Sequence, residues 1–120
     1  MAKRKILQRE IYMCDLTSGA IDHEQSGVHP VLIASCNIRN DTSGNVFVFP
    51  LTHSDKKIQP THYILYQVEY PFLTYEKSIV LCEEGRSISK RRLKRLMGQI
   101  SQQDFDEIIY FKEFVFKEME

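Results

Sequence analysis

The chain has 120 residues, with 16 basic and 16 acidic side chains and a formal charge of +0 at pH 7. This length suits one domain spanning residues 1–120, and a hydrophobic content of 42% excludes an intrinsically disordered chain. The net charge neither points to nucleic acid nor rules it out, because recognition rests on local patches.

The opening MAKRKILQRE is basic and lacks the apolar stretch of an export signal. No window approaches the ~18 consecutive apolar residues of a membrane helix. Cys14, Cys36 and Cys82 are odd in number and form no CxxC. These features lead us to expect a cytoplasmic protein whose thiols stay reduced and pack rather than ligate.

In chain order, Ile11 to Leu16 is a short apolar-rich strand, ended by the turn formers Thr17-Ser18-Gly19. Val31 to Ser35 follows Pro30 and is continuously apolar up to its last residue, the pattern of a strand buried on both faces. Asn40 to Asn45 reads as a turn, and Val46 to Thr52 as a strand rich in β-formers. Thr61 to Val68 and Lys77 to Cys82 are two further strands. Short strands at this spacing predict a small closed or half-open barrel.

The last third changes character. Leu93, Leu96 and Met97 fall at helical spacing, so Ser89 to Gly98 is expected to be a short helix that Gly98 ends or bends. Lys90, Arg91, Arg92, Lys94 and Arg95 would then form a solvated helix face. Ser101 and Asp104 resemble a capping box, which makes Ser101 the N-cap of a second helix. Phe105, Ile108, Ile109, Val115, Phe116 and Met119 would line one side of it, with Phe111 and Phe114 elsewhere. The fold class is therefore mainly β with C-terminal helices.

Five pieces carry a resemblance to a known family. HEQSGVHPVLIASCNIRND (His23 to Asp41) contains Glu24-Gln25, Gly27 and Pro30-Val31-Leu32-Ile33, and IYMCDL precedes it. VFVFPLT ends at Thr52, Gln59-Pro60-Thr61-His62 follows, and SIVLCEEGRSISKRRL runs from Ser78 to Leu93. In this order and spacing the chain, from Ile11 to Leu93, resembles the MazF/PemK/Kid family of toxins from type II toxin–antitoxin systems. The resemblance implies an SH3-like β-barrel of the CcdB/MazF/PemK type and a homodimer. It implies a metal-independent, sequence-specific endoribonuclease acting on single-stranded RNA, with no cofactor. It also implies a cognate antitoxin whose flexible tail occupies the RNA groove.

Such an enzyme must supply a base for the ribose 2′-hydroxyl, an acid for the departing 5′-oxygen and donors for the phosphorane oxygens. The products are a 2′,3′-cyclic phosphate and a 5′-hydroxyl, and DNA, lacking the 2′-hydroxyl, is not cut. His29 stands where the family usually has Arg, and a histidine can take and give a proton near neutrality. His23 stands at a catalytically implicated histidine of the Kid-like branch. Glu24 would orient residue 29 across the loop, and Thr52 would donate its hydroxyl to a phosphate oxygen. The alternatives are a plain strand-edge residue for His29, an exposed loop histidine for His23, a loop salt bridge for Glu24 and an ordinary strand end for Thr52.

The loops Thr17 to Gly27, Ile38 to Asn45 and His53 to Gln59 would read unpaired bases. Gln25, Ser26, Gly27, Ser43, His53, Glu83 and Arg86 are the candidate substrate contacts. Tyr12, Tyr63, Tyr66, Tyr70 and Tyr75 can stack bases, although most are expected in the core or an interface. Gly85 replaces a larger residue common in the family, a change expected to affect only a surface loop. The competing readings are a CcdB-like gyrase-binding toxin and an RNA-binding barrel without cleavage.

Overall fold

The structure, a computed structural model, describes residues 5–16, 27–53 and 59–116, with side chains to residue 113. Seven strands, β1 (Glu10–Asp15), β2 (Val28–Ile33), β3 (Asn45–Thr52), β4 (His62–Tyr66), β5 (Lys77–Leu81), β6 (Arg86–Ser89) and β7 (Leu93–Gln99), form one antiparallel sheet. A short helix α1 (Asn37–Thr42) sits between β2 and β3, and a long one, α2 (Gln102–Phe116), follows β7. The strand order is β4-β5-β3-β2-β1-β7, with β6 also paired to β3. The path ends at β4 and β7, so the curled sheet is half-open rather than closed.

The first five strands fall on the five segments expected from the sequence. Val31, Leu32 and Ile33 are all fully buried because β2 separates two apolar clusters. Ile11, Leu32, Phe49, Leu51 and Val80 pack on one side, beneath Phe105 and Ile108 of α2. Tyr12, Cys14, Val31, Ile33, Val46 and Val48 pack on the other.

Two sequence expectations are corrected. The segment Ser89 to Gly98 is not a helix: after a 3₁₀ turn at Lys90–Arg92 the chain enters β7, antiparallel to β1. The register slips between Ile11 and Tyr12 and again between Tyr12 and Cys14. Such irregularities break the two-residue alternation and set apolar residues three or four apart, which imitates a helix. Leu93 and Leu96 join one cluster and Met97 the other, as strand faces require. The basic run therefore lies on this turn and strand. Asn40 to Asn45 is likewise not all turn, since α1 extends to Thr42. Buried Asn40 donates to the Ser35 carbonyl at 2.8 Å, and Ser35 Oγ donates to Asn40 Oδ1 at 2.5 Å. These bonds hold the chain in a helical turn.

The helix α2 is tied down at its start. Ser101 Oγ accepts from the Asp104 N–H at 3.1 Å, so the expected N-cap is formed. The other half of the box is altered: the Ser101 N–H donates to the Tyr70 hydroxyl at 3.0 Å, and that hydroxyl donates to Asp104. The Tyr63 hydroxyl also reaches Asp104 Oδ1, at 2.6 Å, and Glu107. Two strand-side phenols thus fix the helix through one carboxylate. Phe105 and Ile108 are buried, and Phe111 packs edge-on against Tyr63 at 5.3 Å. The side chains of residues 114–116, and Met119, lie outside the described set.

Gly85 is more than a surface-loop detail. A Cβ there would stand 2.7 Å from the Phe47 ring and 2.8 Å from Phe49, so only glycine admits both rings. Gly85→Ala should cost about 1–3 kcal/mol through overpacking, read as a lower urea midpoint with unchanged slope.

Burial pushes the Cys14 thiol from 9.0 up to about 11, against the pull of Arg92 and Arg86. It pushes Cys82 up to about 12, helped by Glu83. Tyr63 is raised by burial and by its bonds to Asp104 and Glu107. All three contribute stability that is fully present below the unfolded pKa and lost as pH rises through the folded one. Unfolding free energy should therefore fall progressively from about pH 9 towards pH 12. The Cys14→Ala/Cys82→Ala protein should lose less over that range, relative to its own value at pH 7.

Candidate active site

The site arises where β3 changes partners. The β2–β3 ladder runs through Ile33↔Val48, Leu32↔Phe49 and Val31↔Pro50 and then stops. The β3–β5 ladder begins one residue later, at Leu51↔Val80 and Thr52↔Ile79. The Ala34 N–H donates to the Phe47 carbonyl, so by alternation Pro30 also faces β3; having no N–H, it gives β2 one ladder donor fewer where the strands part. Continued outward by two residues from Val31↔Pro50, the register would set His29 opposite Thr52. The ladder ends before that pair forms, and the two residues instead come together across the opening it leaves.

A cleft of about 210 Å³ opens at this divergence. Its apolar part comes from Met13, Pro30, Leu51, Leu73 and Met97. Its polar part includes His29, Thr52, His53 and Ser78. His29 and Thr52 are each half-buried, shielded on one side and open to a ligand on the other. The base of the β1–β2 hairpin is closed by the Leu16 N–H, which donates to the Gly27 carbonyl at 2.7 Å. Gly27 has φ of 82°, a conformation that favours glycine, and it delivers the chain into β2 two residues before His29. At the rim, the His53 and Tyr75 rings stack with centroids 3.8 Å apart and planes 12° apart.

The structure thus brings together His29, Thr52 and His53 of the residues singled out from sequence, with Gly27 next to them. His23, Glu24, Gln25 and Ser26 lie outside the described residues. Three expected contacts are elsewhere. Ser43 caps α1 and accepts from the Asn45 N–H at 3.1 Å. Glu83 is engaged by His62, Nε2 to Oε2 at 2.9 Å. Arg86 pairs with Val48 in the β3–β6 ladder. None of the three lines the cleft. The chemistry-bearing part of the cleft missed from sequence is Ser78 and Thr74, and Tyr75 was only one of five tyrosines considered. No local pattern marks them, because long-range pairing of β5 with β3 carries them there.

Among the described residues, no group of three or more His, Cys, Asp or Glu side chains is arranged to hold a metal ion. Nor does any described helix have the length and apolar character to cross a membrane. Lys90, Lys94 and Arg95 border a second, more open depression with Ile6, Leu93 and Leu96.

Comparison with known proteins adds to this geometry. Endoribonuclease EndoA of Bacillus subtilis (strain 168) is 31% identical over 100 residues, covering 82% of this chain and 84% of that protein. MazF (Form-I) from Deinococcus radiodurans superposes with a TM-score of 0.80 at 18% identity, over 95% of this chain and 98% of that one. A mycobacterial endoribonuclease solved in complex with its cognate antitoxin gives 0.73 at 23% identity, over 92% and 94%. Both structures share the fold. Residues 7–110 match the family described as PemK-like, MazF-like toxin of type II toxin–antitoxin system, and the chain belongs to that family.

Proposed function

We propose that the chain is the toxin of a type II toxin–antitoxin pair and an endoribonuclease that cuts single-stranded RNA at the cleft between β2 and β3. The observation that carries this reading is the meeting of His29 and Thr52 in one cleft, in a chain related to a named endoribonuclease. The RNA brings its own nucleophile. Removing the 2′-hydroxyl proton lets that oxygen attack the adjacent phosphorus, and the bond to the 5′-oxygen breaks as that oxygen gains a proton. The imidazole of His29 suits proton transfer at either end of this displacement. The Thr52 hydroxyl donates to a non-bridging oxygen whose charge grows in the transition state. The half-buried Met13, Pro30 and Met97 give the ribose and base an apolar surface, and with the buried Leu51 and Leu73 behind them they lower the local dielectric around the phosphate.

His23 and Glu24 are retained as proposed contributors from the β1–β2 loop, with Gln25 and Ser26 as proposed base contacts. The working unit is a homodimer in the cytoplasm, held inactive by an antitoxin that competes for the RNA groove. The relative solved with its cognate antitoxin supports this pairing.

Purified protein incubated with a mixed RNA pool in EDTA should give discrete cuts bearing 5′-hydroxyl and 2′,3′-cyclic phosphate ends. Intact RNA under these conditions would contradict the proposal, and gyrase-dependent DNA damage would replace it with the CcdB-like reading. His29→Ala should lower kcat by about 10² or more, and Thr52→Ala by roughly 10², with circular dichroism unchanged. A His29→Arg protein that outperforms the parent would identify the family arginine as the better catalyst at this place.

A further inference from the structure

We propose that the stacked rings of His53 and Tyr75 form a platform for an unpaired RNA base next to the scissile phosphate. This inference rests on the ribonuclease reading above and deepens it.

The tyrosines of the chain have different fates. Tyr12 is buried, and Tyr63 and Tyr70 are tied to Asp104. Tyr75 belongs to neither apolar cluster, stands 47% exposed, and lies in the turn segment just before β5. Its ring is spent on a partner that is itself exposed, His53. A parallel pair at 3.8 Å covers one face of each ring, and with both residues exposed a third aromatic system can stack on an outer face.

Position gives this pair a use. His53 directly follows Thr52, and both rings line the cleft that holds His29. The same two residues also line a neighbouring depression of about 280 Å³ with Glu76 and Lys77. The stacked rings are therefore a ridge shared by two hollows. A ribose-phosphate strand leaving the His29–Thr52 cleft in this direction must cross them. A base placed on the rings is held by its π-face, and the exposed Lys77 on the far side offers a cation to the next phosphate. A stacking surface tolerates every base, so the platform sets position along the strand more than base identity.

The test is affinity for single-stranded RNA whose 2′-hydroxyls are O-methylated, so that binding is read without cleavage. Stacking of one base on one ring should make Tyr75→Ala bind about 5- to 150-fold more weakly, with Tyr75→Phe near the parent. An abasic scan should reveal one position whose base removal weakens the parent protein but adds nothing to Tyr75→Ala. Unchanged affinity in Tyr75→Ala, or penalties that add at every abasic position, would overturn the platform. Cutting of unmodified RNA by the parent, with Tyr75→Ala binding normally, would sink the platform alone. Tyr75-dependent binding without any cutting would leave the platform standing and sink the nuclease reading.

Discussion

The candidate site of this molecule depends on one backbone event, the departure of β3 from β2. A fully paired sheet would leave no opening between these strands. The ladder ends at Val31↔Pro50, and β3 finds its next partner in β5 at Leu51↔Val80. Leu51 and Met13 lie at the parting, and Leu73 and Met97 from elsewhere in the chain join them around the opening. What remains is a cleft with a hydrophobic lining and a histidine and a threonine beside it. Proline at position 30 withholds one donor from β3 at this parting.

The rest of the fold keeps this parting from closing or collapsing. β5 can draw β3 away only if it is itself held, and β4 pairs along the whole of β5 from His62↔Leu81 to Tyr66↔Lys77. The helix α2 then rests on the same apolar cluster that Leu51 and Val80 enter. Its first turn is fastened by Tyr63 from β4 and by Tyr70 from the following turn. Burial of Phe105 and Ile108 contributes roughly 1.5–3 kcal/mol per side chain. A chain of contacts thus runs from the Asp104 carboxylate through β4 and β5 to the strand end that carries Thr52.

Much of this was legible from residue order. The run Val31-Leu32-Ile33 announced a strand covered on both faces, and VFVFPLT marked the strand end at Thr52; the other strand was expected to start only at Val31, whereas β2 starts at Val28 and so includes His29. The family resemblance supplied the pairing of His29 with Thr52, which spacing alone does not contain. β7 was misread because its irregular pairing with β1 breaks the alternation that identifies strands. Gly85 was underrated because its meaning lies in Phe47 and Phe49, rings brought to it by the β3–β6 ladder. Ser78 was invisible as a site residue, and Tyr75 was not distinguished from the other four tyrosines, for a similar reason: only the tertiary position of β5 puts them beside β2.

The central claim is that His29 and Thr52 act on one phosphate in one cleft. A double-mutant cycle on kcat/KM measures this most directly, using His29→Ala, Thr52→Ala and the combined protein on one RNA substrate. Residues that serve a single transition state lose their effects together, so the combined protein is expected to be scarcely slower than the worse single variant. Losses that multiply in full would mean that the two side chains act independently, and the account of a shared site would fail.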